Sequence, residues 1–189
     1  DLVINGVAIG ASLVTDDTSS VGISTAGNKD SSAIAIAAAI NKQSSLTGVR
    51  AVAQANIING TSFDTAGVSA NGNLLLNGST IAITKIASSK AVDIVQQINL
   101  YSGSTGVVAS DNGSGITLTA ADGRNIEIGL SAASLTLANL GFTASTGDNT
   151  VSRTFSGTVT TATGTTVFSA GVSLVSDKSF TVSAGAGSS

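Results

Sequence analysis

Several groups of residues in this sequence have types and spacings that could do chemistry. The run Asp111-Asn112-Gly113-Ser114-Gly115 has the outline of a calcium loop. It brings one carboxylate, whereas a calcium loop spaces several Asp and Asn oxygens and closes with a bidentate Glu. An Asx-type hairpin turn accounts for the same residues. Asp16-Asp17 is a second acidic spot and reads as a solvated turn. Asp122, Arg124 and Glu127 lie close enough to form an ion pair, which when exposed contributes roughly 0–1 kcal/mol and has no catalytic meaning. Serines are abundant, and Lys85, Lys90 and Lys178 are formal partners for a Ser-Lys nucleophile. Ser88-Ser89-Lys90 is better explained as a helix start. The chain has no His and no Cys. The commonest general base is therefore missing, and so are thiol nucleophiles, thiolate ligands and disulfides. The Gly-rich stretches do not fit G-x-G-x-x-G between a strand and a helix. Asn59-Gly60-Thr61, Asn77-Gly78-Ser79 and Asn112-Gly113-Ser114 match the N-glycosylation pattern, and an Asn-Gly hairpin turn followed by a hydroxyl residue explains each as well. The expectation is no catalytic residue, no cofactor site, no metal site and no enzyme.

Composition narrows the remaining classes. Only 10% of the 189 residues are charged, and the formal net charge is -3. No basic block exists to follow a nucleic-acid backbone or an anionic membrane surface. The longest apolar run, Ala33–Ile40, is too short to cross a bilayer. There is no Pro, Met or Trp. Gly, Ser and Asn are plentiful, but so are Val, Ile and Thr, and disordered chains lack β-branched residues. The sequence predicts a folded, β-rich chain with small side chains. Asp1 opens directly into a strand-like run with no signal peptide, as expected of a part of a longer polypeptide.

The elements repeat. Leu2–Gly10 (LVINGVAIG) places Asn5-Gly6 between apolar runs, the strongest short-range hairpin signal. Gly10–Asn28 reads as a surface loop, with Val21-Gly22-Ile23 as a small strand. Asp30 or Ser31 caps a helix over Ser31–Asn41, whose apolar face is Ala33, Ile36, Ala37 and Ile40. Thr47-Gly48 stops it, and Val49–Ala55 alternates as a strand. Ile57-Ile58-Asn59-Gly60 reads as another turn. After a small-residue linker at Asp64–Asn73 the pattern returns. Leu75–Ile81 carries Asn77-Gly78, and a helix from about Ser88 has the face Ala91, Ile94, Val95 and Ile98. Each of these four lies 58 positions after its counterpart, as do Asn99 after Asn41 and Thr105-Gly106-Val107 after Thr47-Gly48-Val49. Asn77 lies 72 after Asn5. The 14-residue difference falls in the Gly10–Asn28 loop, where a duplicated fold tolerates insertion. Beyond the second helix the sequence predicts a hairpin at Asp111-Asn112-Gly113. A further turn at Asp122-Gly123 leads into Asn125–Ile128, Ser131–Leu137 forms a short helix before Gly141, and Thr150–Ala184 is strand and turn.

At these residues the chain resembles a known family. LVINGVAIG, SSAIAIAAAIN and TGVRAVA, in that order, resemble the IN motif of bacterial flagellins, found in their variable central region and in hook-associated filament proteins. GITLTAADGRNIEI (Gly115–Ile128) is similar to the segment that follows it. TFSGTVT (Thr154–Thr160) and VSLVSDKSFTVS (Val172–Ser183) resemble the strand pair near the end of such regions. The resemblance covers most of the chain outside Gly10–Asn28 and Asp64–Asn73. Flagellin termini are long coiled-coil helices, and no heptads occur here. The resemblance therefore implies the outer, surface-exposed region alone, without the terminal segments that carry polymerisation and innate-receptor recognition. It also implies O-linked sugars on exposed Ser and Thr, at no site the sequence names.

The reading is an α+β, β-rich fold. Residues 1–63 form a first hairpin–helix–strand unit, 64–149 a second with its following hairpins, and 150–189 a C-terminal β segment returning toward the N-terminus. If the chain is an insertion between two filament-core segments, its ends should emerge close together, with strand Leu2–Ile4 in the same region as Thr181–Ala184. What the resemblance implies is a structural role on the motility filament surface, extracellular on the bacterial flagellum, with antigenic variation. Its partners would be neighbouring filament subunits and host antibodies, with no nucleic acid and no membrane. The alternatives are the same-motif region of a hook-associated or cap protein, and an adhesin-type binding module. Absence of Cys and Pro suits export as an unfolded chain, since no disulfide traps it and no proline isomerisation delays refolding.

Overall fold

The computed structural model describes residues 2–21, 28–60, 72–84, 90–130, 140, 152–154 and 165–185. The chain opens with a hairpin of β1 (Leu2–Ile4) and β2 (Val7–Ile9). Asn5 and Gly6 both have positive φ, 49° and 78°, the type I′ geometry whose twist matches the flanking strands. Short 3-10 turns at Val14–Asp16 and Lys29–Ser31 lead to α1 (Ala33–Asn41). Its N-cap is Ser32, one or two residues beyond the expected cap. Ser32 has extended φ/ψ, and its side chain accepts the Ala35 N–H at 3.1 Å, whereas Asp30 and Ser31 are taken up by the 3-10 turn. A short α2 (Ser44–Thr47) ends at Gly48, whose φ is 68°. β3 (Arg50–Ala53) follows, and after two residues β4 (Asn56–Asn59).

The expected face of α1 needs correction. Ala33, Ala37 and Ile40 are buried, Ile36 is half-buried, and Ala35 and Ala39 are buried as well. The helix packs against β3 and also against the two 3-10 turns. Alanine on several sides lets all of these neighbours approach closely. The Gly10–Asn28 segment is therefore not merely a loop over the surface. Of the small strand expected at 21–23, only Val21 falls within the described residues, and it is in no strand.

The second copy repeats the plan. β5 (Gly72–Leu76) and β6 (Ser79–Ile83) turn at Asn77-Gly78, with φ of 44° and 76°. α3 (Ala91–Asn99) buries Ala91, Ile94 and Ile98, with Val95 partly buried beside them, and α4 (Ser102–Thr105) ends at Gly106, φ 68°. Then come β7 (Val108–Asp111), β8 (Ile116–Ala120) and β9 (Ile126–Leu130). The turn between β7 and β8 makes the expected hairpin. The next turn does not make a second one. β8 lies in a sheet of order β10-β4-β8-β7, and β9 in a sheet of order β11-β9-β5-β6, so Asp122-Gly123 is a corner between sheets. The helix expected at 131–137 and its following glycine lie outside the described residues.

The last strands are β10 (Ser152–Thr154), β11 (Thr165–Phe168), β12 (Val172–Val175) and β13 (Val182–Ala184). β10 runs parallel to β4. β12 returns to β3, with Leu174 opposite Ala51, and β13 to β1, with Leu2 opposite Ala184. The expected meeting of the first strand with the last is thus present in register. It also reveals a nesting. β12 and β13 stand to the first copy as β8 and β9 stand to the second, where Leu118 faces Ala109 and Ile128 faces Leu76. The second copy completes itself from consecutive chain, and the first is completed only by strands more than a hundred residues away in sequence.

Two apolar cores result. One gathers Ile4, Ile9, Ile40 and Val49, with Leu174 and Phe180 packed against it. The other, larger core centres on Leu74, Leu76, Ile94, Ile98, Leu118 and Ile128. Asn59-Gly60, read as a turn, is instead the end of a ladder. β4 pairs with β8 as far as Asn59 opposite Thr117, and Ile58 is buried in the larger core. The alternating sequence of β4 buries Asn56 and Ile58 and leaves Ile57 and Asn59 partly exposed, which suits a sheet strand better than a tip. The whole is an α+β, β-rich fold.

Candidate functional site

Several asparagines tie separate elements together, and four of them form two matched pairs. Asn77 is 2% exposed. Its Nδ2 donates to Thr105 O at 2.9 Å and Asn125 O at 3.1 Å, and its Oδ1 accepts the Glu127 N–H at 2.7 Å. Asn5 makes the corresponding contacts, donating to Thr47 O at 2.7 Å and accepting the Thr181 N–H at 2.9 Å. Each turn asparagine joins three elements, namely its hairpin, the end of the helical segment and the closing strand. Asn41 and Asn99 form a second pair. Their Oδ1 atoms accept the N–H of Ala51 (2.8 Å) and Ala109 (2.7 Å), and their Nδ2 groups donate to the same residues' carbonyls, both at 2.9 Å. A side-chain amide thus substitutes for a neighbouring strand. Thr47 and Thr105 form a third pair, each accepting the N–H two residues on, at 3.2 Å. The sequence maps these residues onto one another but assigns them no role. The signal was their recurrence at matched polar positions inside an apolar pattern, 58 residues apart for Asn41/Asn99 and Thr47/Thr105 and 72 for Asn5/Asn77.

The inserted segment carries a separate polar cluster. Asp17 is 1% exposed, so the expectation of a solvated turn at Asp16-Asp17 does not hold for it. It accepts the N–H groups of Ser19 (2.8 Å) and Ser20 (2.9 Å) and the Ser20 hydroxyl at 2.5 Å. Burial raises its pKa, but hydrogen bonds from Ser20, from the Ser32 side chain and from the backbone outweigh that and hold it below the usual 3.8. Ser20 Oγ in turn accepts the Asn125 N–H at 2.9 Å, and Asn125 Nδ2 donates to Asn28 O at 2.8 Å. Asp17 and Ser20 of the inserted segment therefore fasten the N-terminus of α1 to the chain entering β9. Asp16 instead pairs with Lys42 at 2.8 Å.

The other candidates serve the backbone. Asp111 Oδ1 accepts the Gly113 N–H at 2.8 Å, and Asn112 Oδ1 accepts those of Ser114 and Gly115 at 2.9 and 2.7 Å. These are Asx turns, as expected. Asp122 and Arg124 form the ion pair at 2.7 Å, and Glu127 is buried on β9. Lys90 is the N-cap of α3, and its N–H donates to Asp93 Oδ2 at 2.9 Å. Lys178 is exposed in the turn before β13, and Lys85 lies outside the described residues. Of the three glycosylation patterns, Asn77 is closed to modification in the folded chain by burial. Asn59 Oδ1 accepts the Thr117 hydroxyl at 2.7 Å. Asn112 is exposed, with its Nδ2 donating to Gly60 O at 2.9 Å.

No family model matches the chain, and no curated protein matches it.

The described residues line two shallow depressions among others. One, of about 330 Å³, is lined by Thr84, Asp93, Gln96, Gln97 and Leu100. The other, of about 220 Å³, lies between the first hairpin and α1, where Leu2, Ile9, Ile36, Ala39 and Ile40 meet Gly10–Ser12. In the first, the Thr84 hydroxyl donates to Gln97 Oε1 at 3.2 Å. Among the described residues no three His, Cys, Asp or Glu side chains gather as metal ligands, and no helix is long and apolar enough to cross a membrane. The polar chemistry on view builds a framework.

Proposed function

We propose that this chain is the outer, surface-exposed region of a flagellar filament subunit, with a structural role at the filament surface. The resemblance of its repeated motifs to the flagellin IN motif motivates the reading. The observation that carries it is the pairing of Leu2 with Ala184. A module held on a filament rod must enter and leave at one place, and two antiparallel strands side by side form such a stalk. Polar groups spent on clamps and turns, and the absence of His and Cys from the sequence, accord with a role carried by shape and surface. Neighbouring subunits and host antibodies are the partners this reading implies.

Antibodies raised against the 189-residue chain test it. Decoration along the whole length of flagellar filaments from the source cell is the expected result. Decoration confined to the hook junction or the tip would instead favour a hook-associated or cap protein, and no decoration of any flagellar part would sink the reading. In solution the isolated chain is expected to sediment as a monomer, and robust self-assembly into filaments would also count against it.

A further inference from the structure

We propose that the outer edges of β12 and β13 are strand-acceptor sites, filled by segments of the same polypeptide flanking residues 2–184. The inference rests on the reading of the chain as one part of a longer subunit. The two copies are equivalent strand for strand, β1, β2, β3, β12 and β13 matching β5, β6, β7, β8 and β9. In the second copy the edge of β8 away from β7 is covered by β4, and the edge of β9 away from β5 by β11. β4 comes from the chain that precedes that copy and β11 from the chain that follows it. They deliver Ile58 and Phe168 to its core. In the first copy the matching edges belong to β12 and β13, and among the described residues no strand pairs with either.

The side chains at those edges are the kind that pairing covers. Leu118 and Ile128 are 0% exposed. Their counterparts are Leu174, which is only half-buried, and Val182, which is 50% exposed although it stands opposite the buried Ile4. Among the described residues no strand covers the smaller core on the side where the larger one is closed. Open edges are ordinarily protected by charge, proline or a bulge. The four residues Val172–Val175 and the three residues Val182–Ala184 contain neither charge nor proline. Register then specifies the occupant. Ile58 faces Leu118 in the second copy, so the strand on β12 should run antiparallel with a bulky apolar residue opposite Leu174. Phe168 faces Ile126, so the strand on β13 should set one opposite Phe180. The source follows from the same comparison, with preceding chain on β12 and following chain on β13.

Hydrogen exchange of backbone amides tests this on the 189-residue chain and on the full natural polypeptide, before and after assembly. Peptides covering β12 and β13 are expected to exchange at least about tenfold more slowly in the unassembled full polypeptide than in the shorter chain. Peptides covering β8 and β9 should be slow in both. Equal exchange at β12 and β13 in the two unassembled proteins overturns the proposal. Protection that appears only on assembly overturns it too, because the strands would then come from a neighbouring subunit. A full polypeptide that shows the protection but forms no filament would leave the acceptor edges standing and refute the filament reading alone.

Discussion

Asn77 and Glu127 exchange two hydrogen bonds that close the second copy, Asn77 N–H to Glu127 O at 3.1 Å and Glu127 N–H to Asn77 Oδ1 at 2.7 Å. The same side chain also binds Thr105 and Asn125. Replacing it with Ala strands a buried N–H and removes the donor to two carbonyls. A buried polar group left unpaired costs about 1–3 kcal/mol. Asn77→Ala should therefore lower stability by about 3 kcal/mol, read as a fall in the urea midpoint at unchanged slope. Asn5→Ala, at an exposed turn, should cost about 1 kcal/mol. A larger loss at Asn5 than at Asn77 would show that burial does not set the strength of the clamp.

Gly48 and Gly106 end the two helical segments with the same φ of 68°. A Cβ at Gly48 would meet nothing within 4 Å, whereas one at Gly106 would overlap the Arg124 guanidinium. Gly48→Ala should cost about 1–2 kcal/mol from the left-handed backbone alone. Gly106→Ala should cost more, because Arg124 must also leave Asp122. Thermal unfolding of Gly106→Ala with and without Arg124→Ala separates the terms, and the increment from Gly106→Ala in the Arg124→Ala background should approach the cost at Gly48.

Ser20 is the bolt between the inserted segment and the second copy. Ser20→Ala removes the hydroxyl that accepts the buried Asn125 N–H and one of the donors to Asp17. A loss of about 1–3 kcal/mol is expected, with faster amide exchange at the N-terminus of α1 as well as at 124–126. Exchange that rises at only one of the two places would show that the segment does not couple them.

Asp17 should leave a mark on acid unfolding. Burial raises its pKa and hydrogen bonds lower it by more, so the native value lies below the ordinary 3.8. A carboxylate depressed in this way adds stability that is fully present above the unfolded pKa and is lost as pH falls through the native one. The stability of the natural chain should therefore drop from about pH 4 downward. Asp17→Asn should be less stable at neutral pH and should flatten that part of the profile. Equal slopes below pH 4 for the two proteins would rule out this linkage.

The local elements were legible because their causes are local. Asn-Gly between apolar runs sets both hairpins, and the repeated face at Ala91, Ile94 and Ile98 sets α3. Glycine sets where both helical segments end. Errors arose where one residue could serve two neighbours. Ser32 rather than Asp30 or Ser31 caps α1 because the preceding 3-10 turn claims those two, and Asn59-Gly60 is a strand end because β8 and β10 supply ladders on both sides of β4. Similarly, the 58-residue spacing exposed the duplication and the mismatch with 72 located the insertion, but neither said what the insertion touches.

By itself, then, the sequence determined the repeated unit, the turn chemistry, the apolar faces and the absence of His and Cys. Each of these depends on residues within a few positions of one another, or on composition. Tertiary structure alone decided that the first copy is closed by β12 and β13, that β4 and β11 serve the second, and that Asp17 is buried. Such choices depend on which strand edges and polar groups meet across a hundred or more residues. Short strands of Val, Ile, Leu and Ala carry almost the same pattern everywhere in this chain. Register and partner were therefore selected by the joint burial of two cores and the satisfaction of Asn5 and Asn77, which no single segment encodes.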